Sequence, residues 1–216
     1  MNQQTERLQV AGPAGALEVA IDRPPAGSEV RGLAVVAHPH PLHGGTMDNK
    51  VVQTLARAHV QAGFVTWRFN VRGVGASEGR WDEGRGEVED ASAVLAAAEA
   101  QAGLSAAPAV LALAGFSFGS YLAARLATSR VAEGRPPGST VLVGPAVVNF
   151  PVDPPPSGSF VVHGGDDEVV SLEAVLAWAR PLVQPVLVLP GVGHFFHGQL
   201  PLLRQCVLRH LISLPE

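Results

Sequence analysis

Three residues in separate parts of this chain have the types and order needed for acyl-transfer chemistry. The pentapeptide Gly115-Phe116-Ser117-Phe118-Gly119 follows an apolar run (108–114) and precedes a helix-like stretch (120–127). A strand that ends in G-x-S-x-G and turns at once into a helix strains the serine backbone and lifts its hydroxyl clear of the sheet. The flanking glycines leave room where a Cβ would crowd the neighbouring backbones. In a chain with 24 glycines the pentapeptide alone carries little weight, so its context must decide.

Ser117, as a nucleophile, needs a base within hydrogen-bond reach, and the base needs an acid to hold its tautomer. In doubly wound sheets such partners sit on loops at the carboxyl ends of later strands, the acid before the histidine. The apolar run ending at His163 leads into Gly164-Gly165-Asp166-Asp167-Glu168, and the one ending at Leu189 leads into Pro190-Gly191-Val192-Gly193-His194. His194 is the best placed of the eight histidines as base, while His197 sits near a helix start and is expected to face solvent. If the doublet Val169-Val170 packs down, Asp167 turns back toward the centre. Asp166 is the rival, Glu168 is expected to face solvent, and Asp153 is a more distant alternative.

The segment His38-Pro39-His40-Pro41-Leu42-His43-Gly44-Gly45 follows the first central strand. Stabilising an oxyanion takes backbone N–H groups aimed at it, one from the residue after the nucleophile, Phe118, and one from this loop. Pro39 and Pro41 have no N–H, which leaves His40 or Leu42; His40, nearer the strand end, is favoured. Three histidines within six residues also suggest a zinc site. The alternating prolines stiffen the loop and no carboxylate lies in it, so neither a metal nor another cofactor is expected. Gly73-x-Gly75 lacks the third glycine of a dinucleotide fingerprint; Arg72 is expected to anchor its loop, and Ser77 has no expected catalytic part. Phe116, Phe118, Phe195 and Phe196 suggest an apolar rim, with core burial the competing reading.

The elements that must position these groups alternate. A hairpin (8–11 and 16–21) precedes strands near 33–37, 64–69, 108–114, 140–143, 160–163 and 185–189, interleaved with helices near 49–62, 83–101, 120–127, 172–179 and 198–211. Short apolar strands between helices imply an α/β domain, 1–216, with a mostly parallel sheet covered on both faces. The 216 residues suit one such unit, 47% hydrophobic residues imply a filled core, and a net charge of −4 without a basic block disfavours nucleic acid and anionic membranes as partners. The polar N-terminus, the absence of a long apolar stretch and the single Cys206 suggest a cytoplasmic protein. Nothing in the residues selects an oligomeric state.

At these residues the chain resembles the α/β-hydrolase superfamily, and most of all small bacterial hydrolases with a His-Pro-His-Pro-Leu-x-Gly-Gly-Thr-Met-Asp-Asn-Lys segment, here His38 to Lys50. The block from Arg68 to Gly79, the elbow, Asp167 to Val170, and Gly193 to Gly198 also match. The resemblance implies the α/β-hydrolase fold, Ser117 as nucleophile, Asp167 as acid, His194 as base, and esterase activity on small acyl esters. A peptidase, thioesterase or acyltransferase on the same three residues is the alternative, as is a non-catalytic ligand-binding scaffold. Many relatives insert a helical cap between the strand after the elbow helix and the next. Here a proline-rich 145–159 joins them, too short for a lid, so an open site is expected.

Overall fold

A parallel strand with helices on both sides must be apolar along its whole length, and all six residues of strand β3 (Gly32–Ala37) are buried. The computed structural model describes residues 5–102 and 110–214. The other strands are β1 (Glu6–Gly12), β2 (Gly15–Asp22), β4 (Phe64–Phe69), β5 (Val110–Phe116), β6 (Ser139–Val143), β7 (Phe160–Gly164) and β8 (Val186–Leu189). The helices are α1 (Lys50–Gln61), α2 (Arg85–Ala102), α3 (Phe118–Ala132), α4 (Leu172–Ala179) and α5 (Leu200–Ile212).

The strands form one sheet in the order β1-β2-β4-β3-β5-β6-β7-β8. β1 pairs with β2, and β2 with β4, antiparallel; the remaining pairs are parallel. The expected mostly parallel α/β sheet with an N-terminal hairpin is what the chain adopts. After β4 the chain crosses back over β3 to lay down β5 on its other side, so β3 and β5 lie at the point where the winding direction reverses. Ala37 there is opposite Gly115. Ligands in open α/β sheets bind beyond the carboxyl ends of strands at such a point.

Each face has its own core. α1 and α5 supply Val51, Val52, Leu55, Leu203, Val207 and Leu211 on one side. α2 and α3 supply Ala91, Val94, Leu95, Leu122 and Leu126 on the other. Asn49 starts α1 by accepting a hydrogen bond from the Val51 N–H (2.8 Å), and Gly63 (φ 93°) follows its end. Two helices begin later than the periodicity suggests. α2 cannot start at Glu83, because Glu83 (φ 55°) and Gly84 (φ 89°) are both left-handed; the Glu87 carboxylate instead accepts from the Asp82 and Gly84 N–H groups, each at 2.8 Å. α5 waits until Leu200 because Gly198 turns at φ 73°. Conversely, α3 begins directly after Ser117 and runs on to Ala132. The first two residues of the expected 108–114 strand lie outside the described residues.

Two buried imidazoles join the sheet to its surroundings. His38, at the end of β3, donates from Nδ1 to the Pro39 carbonyl (2.6 Å) and accepts at Nε2 from the Val71 N–H (3.2 Å), which ties the ends of β3 and β4 together. His59 on α1 donates to the Leu55 carbonyl at 2.8 Å, and its buried Nε2 has no partner among the described residues. Burial holds each at about 4, below the ordinary 6.5. The unfolded chain therefore binds protons that the fold refuses as pH falls from 6.5 toward 4, and stability is lost over that window. Each site contributes roughly 2 kcal/mol of loss by pH 5. We expect urea unfolding to show a stability lower by at least about 4 kcal/mol at pH 5 than at pH 7.5, since burial lowers His163 and His210 as well, and His59→Leu to remove about 2 kcal/mol of that difference.

Candidate active site

The turn from β5 into α3 is set by close backbone approach. Ser117 has φ 54° and ψ −117°, a conformation that L-residues avoid. Its N–H donates to the Val143 carbonyl (2.9 Å) on the neighbouring strand. Ser120, one turn on, donates from its hydroxyl to the Gly115 carbonyl at 2.9 Å. A Cβ on Gly115 would collide with the Gly119 carbonyl, and one on Gly119 with the Ala37 carbonyl of β3. Only glycines fit between these three elements.

The loops after β7 and β8 are joined edge to edge: Gly165 donates to the Leu189 carbonyl at 2.8 Å and Asp166 to the Val192 carbonyl at 3.0 Å. That seam brings Asp167 and His194 together, with Asp167 Oδ2 accepting from His194 Nδ1 at 2.7 Å. The other oxygen, Oδ1, accepts from the Val169 and Val170 N–H groups at 2.9 and 2.8 Å. Burial alone would raise the Asp167 carboxyl; the His194 bond and the two backbone donors outweigh it and hold it below the usual carboxylate range. With Nδ1 donating to the carboxylate, Nε2 of His194 is left as an acceptor.

The His194 ring lies against Phe116, the residue before Ser117, with centroids 4.9 Å apart. It also stands over Gly144, where a Cβ would come within 3.3 Å of Cε1. Ser117 and His194 thus converge on the Val143–Gly144 peptide. No hydrogen bond joins the Ser117 hydroxyl to His194 among the described residues; such bonds are commonly long without substrate and tighten around it.

The donor loop distinguishes the two candidate N–H groups. The Leu42 N–H is already used, donating to His40 Nδ1 at 3.2 Å. The His40 N–H has no partner among the described residues, and the Phe118 N–H is a free first-turn donor of α3. The three histidines of this loop do not form a ligand set: both ring nitrogens of His38 and one of His40 are engaged with backbone groups.

The rival carboxylates are occupied elsewhere. Asp166 and Glu168 are exposed, and Asp153 pairs with Arg125 at 3.2 Å. The expected packing of Val169-Val170 needs correction. Val170 is buried but Val169 is 59% exposed, because what turns Asp167 inward is the N–H pair and not two apolar anchors. The rim of four phenylalanines is also revised: Phe116, Phe118 and Phe196 are core, and only Phe195 is exposed. Arg72 anchors its loop as expected, through a fork of hydrogen bonds to buried Asp90 (2.7–3.1 Å). The Ser77 hydroxyl donates to the Asn70 carbonyl at 2.7 Å, a structural bond. His197 is exposed.

The family model described as serine aminopeptidase, S33, matches residues 34–159, which include the elbow. The chain belongs to the α/β-hydrolase superfamily. An α/β serine hydrolase homologue from Coxiella burnetii superposes with a TM-score of 0.83 at 43% identity, over 95% of this chain and 97% of that one. A lidless α/β serine hydrolase from Xanthomonas campestris gives 0.87 at 35% identity, over 100% and 98% of the two chains. An uncharacterized protein of Rickettsia prowazekii is 31% identical over 200 residues, 84% of this chain and 79% of its own length. This α/β hydrolase is accordingly a serine hydrolase. Its β6–β7 connection carries no helix, as the short proline-rich segment leads one to expect.

Two features of this hydrolase escaped sequence reasoning. His163, fully buried at the end of β7, donates from Nε2 to the Val170 carbonyl at 2.9 Å and stands 3.6 Å from Asp167 Oδ2. Its place directly before the acidic loop was the available signal. The second is a set of aromatic rings around Phe118, drawn from segments far apart in the chain. A cavity of about 580 Å³ elsewhere, between α1 and residues 22–31, contains no histidine, and its Asp22–Arg68 pair is closed at 2.9 Å. No helix among the described residues is long and apolar enough to cross a membrane.

Relief of the strain at the elbow gives a direct test of its geometry. Ser117→Gly should raise stability to urea by about 1 kcal/mol. Gly119→Ala, forced against the Ala37 carbonyl, should lower it by at least about 2 kcal/mol.

Proposed function

We propose that the protein cleaves small carboxylic esters through an acyl-enzyme formed on Ser117. His194 Nε2 takes the Ser117 proton as Oγ attacks the carbonyl, and Asp167 holds the imidazole in that tautomer and stabilises its cation. The Phe118 and His40 N–H groups receive the oxyanion, aided by the positive end of α3. His194 then returns the proton to the leaving alcohol. A water deprotonated by the same nitrogen releases the acid. No cofactor enters any step.

The observation that carries this reading is the 2.7 Å Asp167–His194 bond, presented on two stitched loops beside a strained serine. The absence of a lid favours hydrolysis over transfer to another acceptor, since water reaches the acyl-enzyme directly. The name of the matching family model supports a second reading, cleavage of an amino-terminal peptide bond by the same three residues. A pure ligand-binding scaffold would have no use for a paired acid and base beside the elbow.

Fluorophosphonate should label the wild type and not Ser117→Ala, and a folded but unlabelled wild type would overturn the hydrolase reading. Asp167→Asn should lower kcat on 4-nitrophenyl acetate by roughly 10²- to 10⁴-fold. Faster turnover of aminoacyl 4-nitroanilides than of 4-nitrophenyl esters would transfer the assignment to the peptidase.

A further inference from the structure

The rings around Phe118 form a continuous wall. Beside Phe118 lie His40 (centroids 5.6 Å apart), Trp81 (5.2 Å) and Phe150 (4.8 Å). His40 also touches Trp81 at 4.7 Å and Phe150 at 5.7 Å, and Tyr121 stacks on Phe150 at 5.2 Å with 28° between planes. These residues come from the loops after β3, β4 and β6 and from the first turn of α3, all at the end of the sheet that presents Ser117.

Core packing accounts for Phe118 and Tyr121, which are buried. Trp81 and Phe150 pack against the same core by one side only and, with His40, stay half-buried at the open end of the site. The faces of the rings themselves carry no charge. Arg125 pairs with Asp153, and both Glu87 oxygens accept backbone N–H groups. Gly84 runs along the ring edges; a Cβ there would come within 3.1 Å of Tyr121 and 3.3 Å of Phe150. The wall also begins at the reaction centre, because Phe118 and His40 supply both the proposed oxyanion N–H groups and two of the rings.

Building on the hydrolase reading above, we propose that the preferred substrates are neutral esters carrying an aromatic ring within a few bonds of the scissile carbonyl, with Trp81 and Phe150 as the specificity-determining residues. A planar ring offset or edge-on to these faces gains contacts that a saturated ring of similar size does not.

The test compares isomeric aryl esters, methyl phenylacetate and benzyl acetate, with their cyclohexyl counterparts, methyl cyclohexylacetate and cyclohexylmethyl acetate. At least one aryl ester should show a kcat/KM about three- to tenfold above its saturated partner, and which one does so tells whether the acyl or the alcohol side meets the wall. Trp81→Leu and Phe150→Leu, which keep apolar bulk, should each bring that ratio toward one. A wild-type ratio of one for both pairs, or a ratio unmoved in both variants, overturns the proposal. Calorimetric binding of the same four esters to Ser117→Ala repeats the comparison without chemistry. A wild type that hydrolyses nothing therefore sinks the hydrolase reading alone, while the aryl-to-cyclohexyl binding ratio still decides this one.

Discussion

The site depends on a steric constraint: three backbones, those of β3, β5 and α3, meet with no side chain between them. Gly115 and Gly119 make that approach possible, and Ser117 between them takes a conformation at φ 54° that its neighbours enforce. Such strain persists only where surrounding bonds over-determine it. Here they are the Ser117 N–H to Val143, the Ser120 hydroxyl to Gly115, and the carbonyls of β3 packed under Gly119. The same approach brings the His38–His40 loop over the start of α3, so the position of the donor groups follows from the position of the serine.

The partners on the far side of the elbow depend on a different device. Asp167 is nearly enclosed, and an enclosed carboxylate is stable only when its lone pairs are used. Two backbone donors and one imidazole use them, and each bond also limits where the side chain can point. His163 closes the remaining side, its own imidazole kept below the ordinary value chiefly by burial. Backbone hydrogen bonds between the β7 and β8 loops fix the distance between acid and base. The order of this region rests on main-chain groups, which few side-chain substitutions would disturb.

The sheet, its N-terminal hairpin and the element order are readable because the central strands are short, largely apolar runs between helical stretches, and the hairpin's two runs flank Gly12-Pro13-Ala14-Gly15. Boundaries were less readable where backbone conformation overruled periodicity, as at Glu83-Gly84 and at Gly198. The elbow, acid loop and histidine loop were legible because each occupies a strand end in sequence order. Asp167 and Asp166 are told apart only in part by the valines that follow: Val169 does not pack down, and Asp167 is turned inward by N–H groups that no residue type announces. The aromatic wall was invisible for a related reason. Residues 40, 81, 118 and 150 share no spacing pattern and meet only through the crossover that carries β5 to the far side of β3.

The connection between β6 and β7, residues 144–159, gives up the volume a lid would occupy and contributes Phe150 instead. A connection without a helix offers no lid whose opening could gate the exchange of substrate and product. Nor does closure expel solvent to sharpen the electrostatics, so in the proposed reaction charge is met by dipoles already in place, the N–H groups of Phe118 and His40 and the α3 terminus. On the specificity proposed above, discrimination at such a mouth falls to a standing surface and not to a door.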